Sequence, residues 1–181
     1  MKTPFSPLAL AFASIALAGS AHAQTPKLDA MKGAVTDSFR QCADAYRASM
    51  TGKDEADHPF DCAAHSASTA GDATSTLGIN VSYTAADQAA QAYVDALVDE
   101  ARRAFAAKDG EGNHSAAAYI AALKPVRRGY TEALCGAWGD VHFGGTIASS
   151  NRAICIADQD DQQIDDLLRL LKEYGVIDNG R

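Results

Sequence analysis

The sequence predicts an all-α domain, a disulfide-stapled bundle of about four helices. Three observations carry that expectation. Apolar residues recur at three- and four-residue steps in four separate stretches, the spacing of one helix face. Strand-like runs such as INVSY at 79–83 are short and isolated. Four cysteines, Cys42, Cys62, Cys135 and Cys155, fall two to each half of the chain, and the members of each sequential pair lie 20 positions apart.

The chain begins with Met1-Lys2, an apolar core from Leu8 to Ala18 and the small-x-small triplet Ala21-His22-Ala23. These are the parts of a cleavable secretory signal of bacterial type, 1–23, cut after Ala23. The apolar run is too short for the ~20 residues a spanning helix needs. Gln24 rather than cysteine follows the cut, so a lipoprotein anchor is not indicated. No later stretch is apolar enough to insert in a membrane. The expectation is therefore a single domain, 24–181, in the periplasm or secreted. An even cysteine count in an oxidising compartment reads as two disulfides. Three pairings are possible. Cys42–Cys62 and Cys135–Cys155 are favoured because each joins a helix to the segment after its loop, and closing such a loop stabilises by about 3 kcal/mol. A zinc site would want C-x-x-C pairs, which are missing.

The net charge is −7, one unit more negative once Lys2 leaves with the signal. An acidic surface disfavours nucleic acid and anionic membranes and suits a basic partner or simple solubility.

The first helical pattern runs from about Lys27 to Met50, with Leu28, Met31, Val35, Phe39, Cys42 and Tyr46 on its apolar stripe. Thr51-Gly52-Lys53 ends it. A polar loop follows over 52–82, with a short helical turn expected around Asp61–Ser66. Its His58 and His65 lack the tight spacing of metal ligands. The second long helix is expected from Thr84, as N-cap, to about Lys108, with Ala89, Tyr93, Leu97, Ala101 and Phe105 facing inward. Asp109–Asn113 is a turn.

The third helix is expected from Ser115 to about Trp138, with Tyr119, Ile120, Leu123, Val126, Tyr130, Ala133, Leu134 and Trp138 as its inner stripe. Pro125 should kink or restart it. Lys124, Arg127 and Arg128 should be solvated or paired with the protein's own acids. The connector Gly136–Ser149 holds Trp138, Asp140, His142, Phe143, Gly144 and Gly145. The last helix is expected from a Ser149 or Ser150 cap to Tyr174, stopped by Gly175. Its acidic run, Asp158, Asp160, Asp161, Asp165 and Asp166, reads as a solvated face.

No catalytic or cofactor motif stands out. G-x-S-x-G, H-E-x-x-H, a phosphate loop and an EF-hand pattern are all missing. Glu132 with Asp140 could form a carboxylate pair, and Asp140 could orient His142 as a base, but no nucleophile accompanies them. The expectation is a protein without enzymatic activity and without a cofactor or metal.

The segments QCADAYRA (41–48), PFDCAAHSAS (59–68), AADQAAQAYVDALVDEARRAF (85–105) and YTEALC…FGGTIASSNRAIC…DDLLRLL (130–171) together resemble the lysozyme inhibitor LprI-like family, small exported helical proteins with cysteines. Tyr130, Glu132 and Cys135 stand at that family's aromatic, acid and cysteine. Gly144-Gly145-Thr146-Ile147 matches its connector and Cys155 its second cysteine. Departures are Lys124-Pro125-Val126-Arg127 in place of a Gln-Arg-x-Trp segment, Thr131 for arginine, and Asp160 and Gln163 for threonine and arginine. The resemblance implies a binding protein that blocks lysozyme or another basic envelope protein. The contact surface would be the stapled loop, with Trp138, Asp140, His142, Phe143, Gly144 and Gly145. The alternative is an envelope accessory protein with a different partner.

Overall fold

The structure is a computed structural model and describes residues 18–51, 59–72, 74–107, 114–141 and 145–177. Five helices form among them, and no strand: α1 Ala18–Ser49, α2 Cys62–Thr69, α3 Thr76–Ala107, α4 His114–Asp140 and α5 Thr146–Glu173. The all-α expectation holds. The count is five rather than about four because the short turn expected at 61–66 is a helix in its own right. No helix among the described residues is long and apolar enough to cross a membrane.

α3 is the central element and packs against each of the other four, while α5 lies against α2, α3 and α4. Its inner face is largely alanine: Ala85, Ala86, Ala90 and Ala101 are buried beside Val94, Leu97 and Phe105. Side chains this small let neighbouring helices come close. Large residues then fill the spaces from the facing helices, among them Phe39 and Met50 before α3 and Ile164, Leu168 and Leu171 after it.

Both favoured disulfides form, Cys42–Cys62 and Cys135–Cys155, each with its Cα atoms 5.5 Å apart. The first pins α2 to α1. Around it Phe39, Tyr46, Phe60 and Tyr93 make a ring cluster, edge-on between Tyr46 and Phe60 (centroids 5.1 Å apart) and between Phe39 and Tyr93 (6.0 Å), and stacked between Phe60 and Tyr93 (6.5 Å).

Four features differ from the sequence reading. α1 starts at Ala18 rather than near Lys27, so it includes the expected cut site after Ala23 and runs through Pro26. α3 starts at Thr76, so INVSY is helical and Thr84 is interior. The cap is Ser75, whose hydroxyl accepts from the Gly78 N–H at 3.0 Å. Asp72 reinforces this turn, accepting from the Thr74 N–H and the Thr74 and Ser75 hydroxyls. A Cβ on Gly71 would meet Ser82 Oγ at 2.1 Å and the Ala67 carbonyl at 2.4 Å, so the α2–α3 turn requires glycine there. α4 runs unbroken through Pro125. Pro125 is exposed, so solvent can satisfy the carbonyl its missing N–H leaves free. α5 starts at Thr146 with Gly145 as N-cap, which leaves Ser149 and Ser150 inside the helix.

The α5 stop falls where expected. Gly175 has φ 65°, its N–H bonds the Lys172 carbonyl at 3.0 Å, and the Val176 N–H bonds that of Leu171 at 2.9 Å. This is a Schellman closure, which glycine makes without strain.

Candidate contact site at the second disulfide

The second disulfide joins the last two turns of α4 to the third turn of α5. Of the connector residues singled out above, Trp138 is exposed to 58% and Asp140 is exposed at the end of α4. Gly145 is exposed and opens α5 in an extended conformation. His142, Phe143 and Gly144 lie outside the described residues. Gly139 is the close-approach point of the two helices, since a Cβ there would stand 3.3 Å from the Ala148 carbonyl.

Below Trp138 lies an open cleft of about 450 Å³, lined by Leu134 and Trp138 from α4 and by Asn151, Ile154, Asp158 and Gln162 among others from α5. Cys155 forms part of its floor. An indole edge, two aliphatic side chains and a rim of amides with one carboxylate suit a peptide or protein side chain with an apolar body and a cationic or amide end. Glu132 and Asp140 do not converge here. They are eight residues apart on one helix, roughly 12 Å of rise. Glu132 instead accepts from Arg128 Nε at 3.1 Å. Both carboxylates are exposed on the helix surface.

The acidic run of α5 is where the structure departs most from the sequence reading. Asp160 and Asp161 are buried, not solvated. Asp161 accepts from the backbone N–H groups of Ala63 at 2.8 Å and Ala64 at 3.0 Å. Those are orphan donors of the first turn of α2, which Asp61, its own N-cap residue, leaves unbonded. Burial pushes the Asp161 carboxyl up to about 7, against the two N–H bonds, which favour the charged form.

Asp160 accepts from Gln91 Nε2 at 2.6 Å through one oxygen, and its other oxygen has no hydrogen-bond partner. Burial, followed by the neighbouring Asp87, raises its pKa well above the usual carboxylate range. A proton on that second oxygen can be donated to Asp87, which satisfies the group. Asp87 in turn holds Arg128 at 2.8 Å. Further along α5, Asp165 accepts from the Tyr46 hydroxyl at 2.6 Å and from Arg169 at 2.8 Å. Burial and this carboxylate push Tyr46 up to about 12.

The basic cluster on α4 is paired internally, as expected. Lys124 meets Asp95 of α3, Arg127 meets Asp166 of α5, and Arg128 bridges Asp87 and Glu132. Its cations are committed to the neighbouring helices. The inner stripe expected of α4 is a correction. Ile120 is buried, but Tyr119, Leu123, Val126, Tyr130 and Trp138 are exposed, and Thr131 and Cys135 face inward instead.

No protein-family model, curated protein or solved structure matches the chain. The likeness to the LprI-like family rests on the residues quoted above.

Proposed function

We propose that this chain is an exported, non-enzymatic binding protein of the periplasm, similar to LprI-type lysozyme inhibitors, which occludes a basic muramidase. The observation that supports it is the exposed Trp138, held over an open cleft by a disulfide and the Gly139–Ala148 contact. Exposed aromatics on rigid supports are the usual anchors of protein interfaces. The net charge of −7 steers a basic partner toward the surface, and Asp158 lines the cleft with the anchor.

The test is inhibition of several lysozyme types by the purified protein, with Trp138→Ala in parallel. The reading expects inhibition that weakens at least tenfold in the variant, the loss of one anchor side chain. Full lysozyme activity at large molar excess of the unmodified protein would end the lysozyme assignment. Affinity capture from envelope extract, again with Trp138→Ala as control, would then reveal the different partner of an accessory protein.

A further inference from the structure

α4 carries a second surface that the Trp138 site does not use. Tyr119 (73% exposed), Leu123 (42%), Val126 (70%) and Tyr130 (62%) form one strip, which Ala133 and Ala137, also exposed, continue. The steps along it are four, three, four, three and four, the a/d seam of a coiled coil. Between Ala118 and Trp138 the most exposed charged side chain is Glu132, at 53%, while those of Lys124, Arg127 and Arg128 are at 33–38%. Lys124, Arg127 and Arg128 are drawn sideways to acids on α3 and α5. In a chain of net charge −7 this is a face where a second acidic molecule can approach without like-charge repulsion.

We propose that the occupant is a second copy of this chain, docked antiparallel, α4 against α4, about a two-fold axis at the middle of the strip. The sequence of the strip is complementary to its own reversal. With the axis beside residue 128, Tyr119 faces Ala137 of the second copy, Leu123 faces Ala133, and Val126 faces Tyr130. The outer layers set a large side chain against a small one, and the central layer sets the aromatic against a β-branched residue. Antiparallel coiled coils form their layers from a and d positions in this alternating way. Reversal also opposes the two helix dipoles.

The area is adequate. The two tyrosines, at roughly 200 Å² each and their observed exposures, supply nearly 300 Å². The remaining strip, with the groove of about 400 Å³ that Tyr119, Leu123 and Val126 form with Leu170 and Tyr174, brings each side near the ~600 Å² of the smaller stable interfaces. Trp138 lies about 100° around the helix from the seam, toward α5, so both surfaces can be occupied together.

Sedimentation equilibrium of the purified protein between about 1 and 100 µM tests this. A dimer is expected in that range. Val126→Lys and Tyr130→Glu, both at exposed positions, should each weaken it at least 100-fold by placing unpaired charge in the seam, with helicity and both disulfides retained. Mixing the two variants should restore a heterodimer, because the new lysine then faces the new glutamate. A protein that stays monomeric at 100 µM overturns the proposal. So does a dimer indifferent to both substitutions, and so does a mixture that stays monomeric, which denies the antiparallel pairing.

Discussion

The two disulfides close loops of equal length and set their Cα atoms at equal distance, yet they stand in opposite surroundings. Cys42–Cys62 is embedded among Phe39, Tyr46, Phe60 and Tyr93, and the helix it anchors is capped from across the domain by Asp161. Cys135–Cys155 has Cys135 buried, but Cys155 lines an open cleft below an exposed tryptophan. Equal loops remove equal entropy from the unfolded chain. The difference lies in what each bond holds in place, which is a core in the first half and a surface in the second.

The sharpest way to break this comparison is to empty the core around the first bond. Phe39 is fully buried and meets two other rings edge-on. Phe39→Ala should cost about 3–5 kcal/mol in chemical denaturation. A loss under ~1 kcal/mol would mean the ring cluster is not the core of this half.

The bonds themselves come next. Chain entropy alone assigns each about 3 kcal/mol. Cys42→Ala with Cys62→Ala should exceed that by about 1 kcal/mol, because Cys62 belongs to the main hydrophobic core, with Cys42 packed against it, and the lost sulfurs leave a gap there, whereas Cys135, equally buried, lies outside that core. Cys135→Ala with Cys155→Ala should stay near the entropic value while loosening the cleft, seen as faster amide exchange over 136–150. Equal losses from both double variants, with equal exchange, would erase the distinction between core staple and surface clasp.

How much of this was legible in the sequence follows the same division. Helical spacing located α1 from Lys27 onward and the inner half of α5, because residues such as Val35, Phe39, Ile164 and Leu168 are both periodic and buried. Both pairings were legible because each cysteine faces a partner one loop away. The stripe of α4 was equally periodic but faces outward, since periodicity marks an apolar face and not what covers it. The start of α3 was missed because Ser75, Gly78 and the polar residues between 72 and 82 look like a loop, whereas Asp72 and Ser75 use their side chains to begin a helix. Asp160 and Asp161 were read as solvated because a run of acids usually is. Their partners, the α2 backbone and Gln91, are 69 to 98 residues away in sequence. A buried carboxylate filling a distant helix N-terminus leaves no local signature.

Those two carboxyls give the comparison a pH dependence. The folded-state pKa of Asp160 is raised above the ordinary 3.8 by burial and by Asp87, and that of Asp161 is raised to about 7 by burial. Between pH 4 and about 8 the folded protein therefore binds protons that the unfolded chain has released. Stability should fall as pH rises through that window and level off above it. Thermal melts should show a Tm lower by several degrees at pH 8 than at pH 5. Asp160→Asn, which keeps an acceptor for Gln91, should flatten much of that slope. A Tm that rises steadily from pH 5 to pH 8, in wild type and variant alike, would show that both carboxyls are ionised when folded.

The smallest effect on stability should come from the residue with the largest proposed effect on binding. Trp138 is more than half exposed, and its indole covers a cleft rather than filling a cavity. Trp138→Ala should shift unfolding by no more than about 0.5 kcal/mol, as expected for a surface site free of caps and buried partners. The same substitution should remove most of the affinity for the partner, since a rigid exposed aromatic is worth ~2 kcal/mol or more as an interface anchor. The ratio of these two effects separates a contact residue from a packing residue. If Trp138→Ala instead destabilises the fold by 2 kcal/mol or more, the indole acts as a lid of the core and the second disulfide is a structural staple like the first.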